Sequence, residues 1–220
     1  MAQISQNLYV PAMACAAVLG AAFVLALWRL APANIEAPKG RRLAASVAAA
    51  GVLVAAEEAW LYFYYGAGLD AIFAYALATA LLVPIARCDL KQHLIPTRML
   101  AAGLAARAVL LAAEAALYGM AALRAAALAA AAGAALMLAG ILCRLVTPNG
   151  IGMGDVKLLG VYGLCLGLER VWSAVIWSLV LLFFGVLYLL IFKKAGRKTE
   201  VPFAPFLLGG TVAAAILSGA

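Results

Sequence analysis

Charged side chains are scarce in this sequence. Asp, Glu, Lys and Arg make up 11% of the 220 residues, whereas 68% of the residues are apolar. A water-soluble domain usually has about 25% charged and 45–50% apolar residues, so an ordinary soluble domain is excluded. Acidic residues number nine and there is one histidine, which leaves few candidates for acid–base chemistry. The mean hydropathy of +1.09 is that of a chain embedded in lipid.

Paired cysteines are also lacking. The four cysteines, Cys15, Cys88, Cys143 and Cys165, lie far apart and form no CxxC motif. Structural zinc sites commonly use such pairs. We therefore expect no metal and no disulfide, and we interpret the cysteines as small buried apolar residues.

Long apolar runs fill the chain instead. A helix needs about 20 apolar residues to cross ~30 Å of hydrocarbon. Eight candidate runs occur, at roughly 8–28, 43–63, 67–86, 99–118, 123–146, 156–168, 171–192 and 203–219. The sixth is short, so six to eight spans are predicted. No barrel-like alternation is present, and the sequence predicts an all-α, polytopic membrane helical bundle that forms a single domain over residues 1–220.

Basic residues are concentrated in every second loop, at 29–42, 87–98, 144–157 and 193–198. The loops between them carry one arginine, Arg170, or no basic residue. The positive-inside rule then places the basic loops in the cytoplasm and the N-terminus outside. This pattern accounts for the net charge of +7 and predicts contact with phospholipid and not with nucleic acid.

Two aspartates occur where apolar runs are interrupted. Asp89 belongs to "DLKQHLIP" (89–96) and Asp155 to "GMGDVK" (152–157), and Pro96 and Pro148 lie nearby. The 66 residues between the aspartates accommodate two antiparallel spans, which return the chain to the face it left. We expect the two carboxyl groups to meet at one depth.

Two carboxyl groups a few ångströms apart cannot easily both ionise. An aspartic protease uses this asymmetry, because the ionised member activates water while the protonated member polarises the scissile carbonyl. Gly152 and Gly154 would let an extended substrate backbone approach closely. The pattern indicates a cofactor-free aspartic endopeptidase, although an isolated aspartate at a helix end is usually a solvated cap.

A proton- or cation-coupled transporter is the alternative function. It would use Asp89 and Asp155 as an ion site within interrupted helices near the bilayer midplane. Both motifs lie in basic loops at the cytoplasmic side instead, which favours an enzyme acting at the inner surface.

Three stretches together resemble the type IV prepilin peptidases, the bacterial branch of the GxGD intramembrane aspartyl proteases. They are "DLKQHLIP" (89–96), "GMGDVK" (152–157) and "VPFAPFLLGG" (201–210), and the resemblance covers roughly residues 67–219. It implies that Asp89 and Asp155 are catalytic, near the cytoplasmic face of the bacterial inner membrane. The implied substrates are prepilin-like precursors, whose short basic leader is cut after a glycine.

Larger members of that family carry a zinc-binding cytoplasmic segment after the first helix and also N-methylate the new terminus. The corresponding segment here has about 14 residues and no cysteine. We therefore expect a peptidase without a zinc-binding domain and without methyltransferase activity.

Further residues are candidates for substrate binding or support of the site. Lys91 and Lys157 either act on the aspartates or the substrate, or anchor the protein at lipid headgroups. His93, the single histidine, is interpreted as structural or solvated. Pro202 and Pro205 are predicted to start the last helix. The remaining candidates are Gly152, Gly154, Pro96, Phe203 and Phe206, and the resemblance suggests that the two phenylalanines line the site.

Four ionisable residues lie deep within predicted spans, namely Glu57, Glu58, Arg107 and Glu114. Charged groups at such depth are costly and are usually paired or functional. We expect Arg107 to form a structural pair with one of the glutamates, and a proton-relay or substrate-contacting role is the alternative.

Overall fold

Eight α-helices make up the described part of the chain, which in this computed structural model comprises residues 2–32, 35, 37–147, 150–192 and 201–218. They are α1 (Ala2–Arg29), α2 (Arg41–Tyr65), α3 (Leu69–Gln92), α4 (Thr97–Tyr118), α5 (Met120–Val146), α6 (Met153–Leu166), α7 (Leu168–Phe192) and α8 (Ala204–Leu217). No strand occurs among these residues, so the predicted all-α class is confirmed. Pro148 and the basic segment 193–198 lie outside the described residues.

Six of the helices, α1 to α5 and α7, are long and apolar enough to cross a membrane. The protein is therefore a multi-pass membrane protein, at the lower end of the predicted range of spans. Helices α6 and α8 have 14 residues each, or about 21 Å at 1.5 Å per residue. That length is less than the ~30 Å hydrocarbon thickness, so neither short helix is long enough to cross the membrane.

Helix α3 lies at the centre of the bundle. It packs against α1, α2, α4, α6 and α8, and 78% of its most apolar window is buried, against at most 28% for any other span. Its sequence is apolar around the whole circumference, as expected for a helix with no lipid-facing side. The middle of the central helix therefore lies inside the protein's own helix shell, whereas Asp70 at its start and Leu90, Lys91 and Gln92 at its end are exposed.

Close backbone contacts hold the two short helices against longer ones. A Cβ added to Gly163 of α6 would lie 2.8 Å from the Cα of Gly133 in α5, and one added to Gly133 would lie 2.6 Å from the carbonyl oxygen of Gly160. On the other side of the bundle, Gly210 of α8 packs directly on the backbone of Ser178 in α7. Small residues allow such approach in membrane bundles, so α6 is fixed to α5 and α8 to α7.

Side chains from spanning helices complete the C-terminal ends of the short helices. Arg107 of α4 donates from Nε to the Leu164 carbonyl, in the last turn of α6, over 3.2 Å. Trp60 and Tyr65 of α2 both donate to the Ile216 carbonyl of α8, over 3.0 and 2.9 Å. Carbonyls of a last helical turn lack intrahelical donors, and in lipid they must find a protein partner.

The four ionisable residues of the predicted spans fall into two pairs. Arg107 forms an ion pair with Glu114 of its own helix over 2.8 Å, which confirms the expected pairing and identifies the partner. Glu57 and Glu58 are fully buried in α2. Thr79 donates to Glu57 over 2.7 Å, and the other three carboxylate oxygens of this pair have no hydrogen-bond partner among the described groups.

The cysteines follow the expectation only in part. Cys88 and Cys165 are buried, as predicted, but Cys15 and Cys143 are exposed, and all four are free. The prediction failed for these two because an apolar helix in a membrane can present small residues to lipid as well as to the protein interior.

The close crossing of α5 and α6 leads to a stability prediction. Gly133→Ala would push a methyl group against the backbone of Gly160, and overpacking of this kind costs about 1–3 kcal/mol. We expect a lower midpoint of thermal unfolding in detergent, followed by fluorophore labelling of the buried Cys88 and Cys165 after the exposed Cys15 and Cys143 have been blocked. The matched control is Gly51→Ala in α2, whose added Cβ would meet only the Cβ of Ala21 at 3.6 Å. Equal midpoints for the two variants would contradict the close crossing.

Candidate active site

Asp89 lies in the last turn of α3 and is 5% exposed. Its Oδ2 accepts a hydrogen bond from the backbone amide of Ala204, the first residue of α8, over 2.9 Å. The backbone of Phe203 contributes a further hydrogen bond to this carboxyl group. The first amides of a helix lack intrahelical acceptors, and the helix dipole favours an anion there. Asp89 therefore acts as the cap of α8 and is anchored by it.

The start of α8 follows from its local sequence. Pro205 is the second residue of the helix, where its missing N–H would have had no intrahelical partner. The preceding residue at the cap position, Phe203, makes no side-chain cap hydrogen bond. The carboxyl group that supplies the cap comes from 115 residues earlier in the chain. Pro202 and Pro205 thus start the last helix, as predicted, at the point where Asp89 meets it.

Asp155 lies in the first turn of α6 and is half-buried. Gly152 stands at the N-cap of the helix, and a Cβ there would lie 3.0 Å from Oδ2 of Asp155. The absence of a side chain at Gly152 therefore leaves room for the carboxyl group.

Asp155 lies outside the six candidate spans, and its ionisation is perturbed. The pKa of Asp155 is raised to about 6: burial is the largest cause, the negative charge of Asp89 also raises the pKa, and a backbone hydrogen bond from Gly152 opposes both. Asp89, 66 residues earlier in the chain, is therefore close enough for its charge to act on the Asp155 carboxyl group. A carboxyl group in this range can hold a proton near neutral pH.

The turn between α3 and α4 brings the two motifs together. A Cβ added to Gly154 would lie 3.1 Å from the Cβ of Ile95, so the start of α6 packs directly on this turn. His93 ends α3 in the left-handed region, with a φ of 49°, and the buried Pro96 is the N-cap of α4. Histidine is one of the residues that tolerate such a conformation, which agrees with the structural role expected for His93.

The other predicted support residues lie at varying positions. Lys91 and Lys157 are exposed, and neither forms an ion pair with a residue that the structure describes. Phe203 is partly buried against the main core. The ring of Phe206 fills the space above Gly185 of α7. Of the predicted support residues, Gly152 lies against the Asp155 carboxyl group and the backbone of Phe203 bonds to Asp89, whereas Phe206 lies against α7.

Sequence reasoning did not identify the Ala204 amide as part of this site. A backbone N–H has no signature in the sequence, because every residue except proline has one. It also missed Tyr162 of α6 and Thr211 of α8, whose hydroxyl groups lie 2.8 Å apart. Their signal, two polar residues within apolar runs, is weak because many such residues bond only within their own helix.

A separate cavity of about 400 Å³ lies elsewhere in the bundle. It is lined in part by two ion pairs, Arg107 with Glu114 and Arg170 with Asp70. Its wall includes neither Asp89 nor Asp155. Within the described part of the chain, no group of three or more His, Cys, Asp or Glu side chains is arranged to hold a metal ion.

The arrangement can carry out acid–base chemistry without a further group. One carboxyl group is anchored by backbone amides, and its neighbour has a pKa close to physiological pH. When two carboxyl groups lie in different environments, their pKa values differ, and one can act as the base while the other acts as the acid. Such a pair can activate water and polarise a carbonyl.

Comparison with known proteins gives one match. The model of the type IV leader peptidase family matches residues 75–192, a segment that contains both aspartate motifs. No curated protein and no solved structure matches the chain significantly. Because the matched segment spans more than half of the chain, this membrane protein belongs to the type IV leader peptidase family and is a peptidase.

Proposed function

We propose that this peptidase is an aspartic endopeptidase that removes the short basic leader from type IV prepilin-like precursors. Asp89 and Asp155 form its catalytic pair, at the cytoplasmic face of the bacterial inner membrane. Two observations carry the proposal: Asp89 accepts a hydrogen bond from the Ala204 amide at the start of α8, and the charge of Asp89 helps to raise the pKa of Asp155 at the start of α6. Membership of the leader peptidase family supports the substrate class.

The proposed reaction uses one proton on the pair. Asp89, held at Oδ2 by the Ala204 amide, is ionised. It takes a proton from a water molecule while the water oxygen attacks the scissile carbonyl carbon. Asp155, which carries the proton, donates it to the carbonyl oxygen, and a tetrahedral diol forms. Asp89 then protonates the leaving nitrogen, the C–N bond breaks, and Asp155 regains a proton from the diol.

The charge distribution supports the proposed membrane face. Basic residues lie in the segments next to both aspartates, including Arg87, Lys91, Arg98, Arg144 and Lys157. The positive-inside rule assigns such segments to the cytoplasm. The exposed Lys91 and Lys157 are available to anionic lipid headgroups or to an acidic residue of the substrate. We do not propose the transporter alternative, because the family is one of peptidases.

Removing either carboxyl group abolishes the proposed chemistry. We expect Asp89→Asn and Asp155→Asn each to lower cleavage of a model prepilin by at least ~100-fold, the usual contribution of a positioned acid or base. The measurement is leader release by purified protein in detergent, with the cut located by mass spectrometry.

The matched control for these variants is Asp70→Asn. Asp70 belongs to the same helix as Asp89 but lies in its first turn, paired with Arg170. The Asp70→Asn variant should cleave the model prepilin at close to the wild-type rate. If Asp89→Asn or Asp155→Asn remains folded and cleaves as well as this control, the catalytic assignment is wrong.

The pH profile should report the proton on Asp155. Asp155 must be protonated in the proposed mechanism, so cleavage should be present below its pKa of about 6 and decline as the pH rises through that value. The measurement is kcat/KM between pH 5 and 8. Imidazole groups titrate in the same range, so His93→Asn is the control, since Asn also tolerates the left-handed conformation. Loss of the decline in this variant would assign it to His93 and contradict the role of Asp155.

Gly154 provides a test of the geometry. Gly154→Ala would press a methyl group against Ile95, 3.1 Å away, and displace the first turn of α6 that carries Asp155. We expect kcat for the model prepilin to fall by about 10-fold or more, since misplacement of a reacting group by 1 Å can cost about 100-fold. Wild-type kcat in Gly154→Ala would show that the contact does not position Asp155.

A further inference from the structure

Two hydroxyl groups join the short helices in the interior of the bundle. Tyr162 of α6 and Thr211 of α8 are both fully buried, and their oxygens lie 2.8 Å apart. The Thr211 hydroxyl donates to the Leu207 carbonyl of its own helix over 2.7 Å. Its single proton is thereby used, so Tyr162 is the donor to Thr211. The result is a directed chain from Tyr162 through Thr211 to the backbone of α8.

Tyr162 and Thr211 have the same spacing along their helices from the two groups that start the site, Asp155 and Ala204. Tyr162 follows Asp155 by seven residues on α6, and Thr211 follows Ala204, which holds Asp89, by seven residues on α8. Seven residues are about two turns, or ~10.5 Å, and residues seven apart lie on nearly the same helix face. The hydroxyl pair therefore lies at the same axial distance from both halves of the catalytic pair.

The two short helices are otherwise held by different neighbours. Helix α6 packs on α5 through Gly133 and Gly163, whereas α8 packs on α7 through Gly210. Both also pack on α3. Apolar contacts between helices in lipid are not strongly directional, whereas a hydrogen bond requires a short distance and a defined angle. Sliding one helix past the other would leave a buried hydroxyl without its partner, at a cost in an apolar interior.

We propose that Tyr162 and Thr211 are positioning residues that fix the axial register of α6 against α8, and thereby the placement of Asp155 relative to Asp89. This inference rests on the proposed function, because it assigns a role in the geometry of that catalytic pair. Tyr162 and Thr211 themselves touch neither substrate nor water in the proposed reaction. Their hydrogen bond instead sets the fraction of bound substrate that meets both carboxyl groups in reactive geometry. A change in that fraction changes kcat.

The test compares variants that remove one hydroxyl with little change of shape. Tyr162→Phe and Thr211→Val each break the bond, and we expect kcat for a model prepilin to fall about 10- to 100-fold with KM unchanged. The double variant should be no worse than the worse single variant, because both remove one shared interaction. Thr211→Ser retains the hydroxyl and should restore kcat to within a few-fold of wild type.

The control is Ser46→Ala in α2. The hydroxyl group of Ser46 donates to the Leu43 carbonyl of its own helix over 2.9 Å, and Ser46 belongs to neither α6 nor α8, so its loss should leave kcat unchanged. Wild-type kcat in both Tyr162→Phe and Thr211→Val would overturn the inference. It would also be overturned if the losses of the single variants multiplied in the double variant, or if they appeared as a raised KM.

Failure of the positioning role can be distinguished from failure of the proposed function. If Asp89→Asn and Asp155→Asn are inactive while Tyr162→Phe and Thr211→Val keep full kcat, only the positioning role fails. If the aspartate variants are active, the catalytic assignment itself fails. If one hydroxyl variant does not fold, the other, compared with Thr211→Ser, still decides the question.

Discussion

The hydrogen bond from the Ala204 amide to Asp89 is the interaction on which the candidate active site depends. It joins the end of the central helix α3 to the start of α8, across 115 residues of chain. Helix α8 has no side-chain cap of its own, and the carboxyl group of Asp89 supplies one. The same contact that satisfies the helix terminus also immobilises the carboxylate that we propose as the base. One hydrogen bond therefore both caps α8 and holds the proposed base in place.

The thickness of the bilayer imposes a second constraint. Helices of 14 residues are too short to cross it, and backbone groups in lipid need partners within the protein. Arg107 satisfies the end of α6, while Trp60 and Tyr65 satisfy the end of α8. This use accounts for the presence of an arginine deep in a mainly apolar helix. Its own charge is balanced by Glu114.

The glycines around Asp155 act mainly through their small size. Gly152 leaves room for the Asp155 carboxyl group, and Gly154 lets α6 approach Ile95. The sequence suggested that both would admit a substrate backbone, and for Gly154 the observed neighbour is the turn between α3 and α4. Close packing there sets the distance between the motifs, which in turn lets the charge of Asp89 raise the pKa of Asp155. A rigid start of α6 suits a proton donor that must meet its partner accurately.

The sequence by itself determined the helical class, the approximate extent of the apolar runs and the two aspartate motifs, because hydrophobic length and motif spacing are local properties of the chain. It also indicated that Arg107 needs an acidic partner, but three glutamates were possible and only packing selected Glu114. Tertiary structure alone decided that the Ala204 amide holds Asp89, that Phe206 lies on Gly185 and that Tyr162 meets Thr211. Each of these contacts joins segments far apart in the chain, and one uses a backbone group that every residue except proline possesses. Such contacts depend on the rotation and depth of each helix, which are set by its neighbours and not by its own sequence.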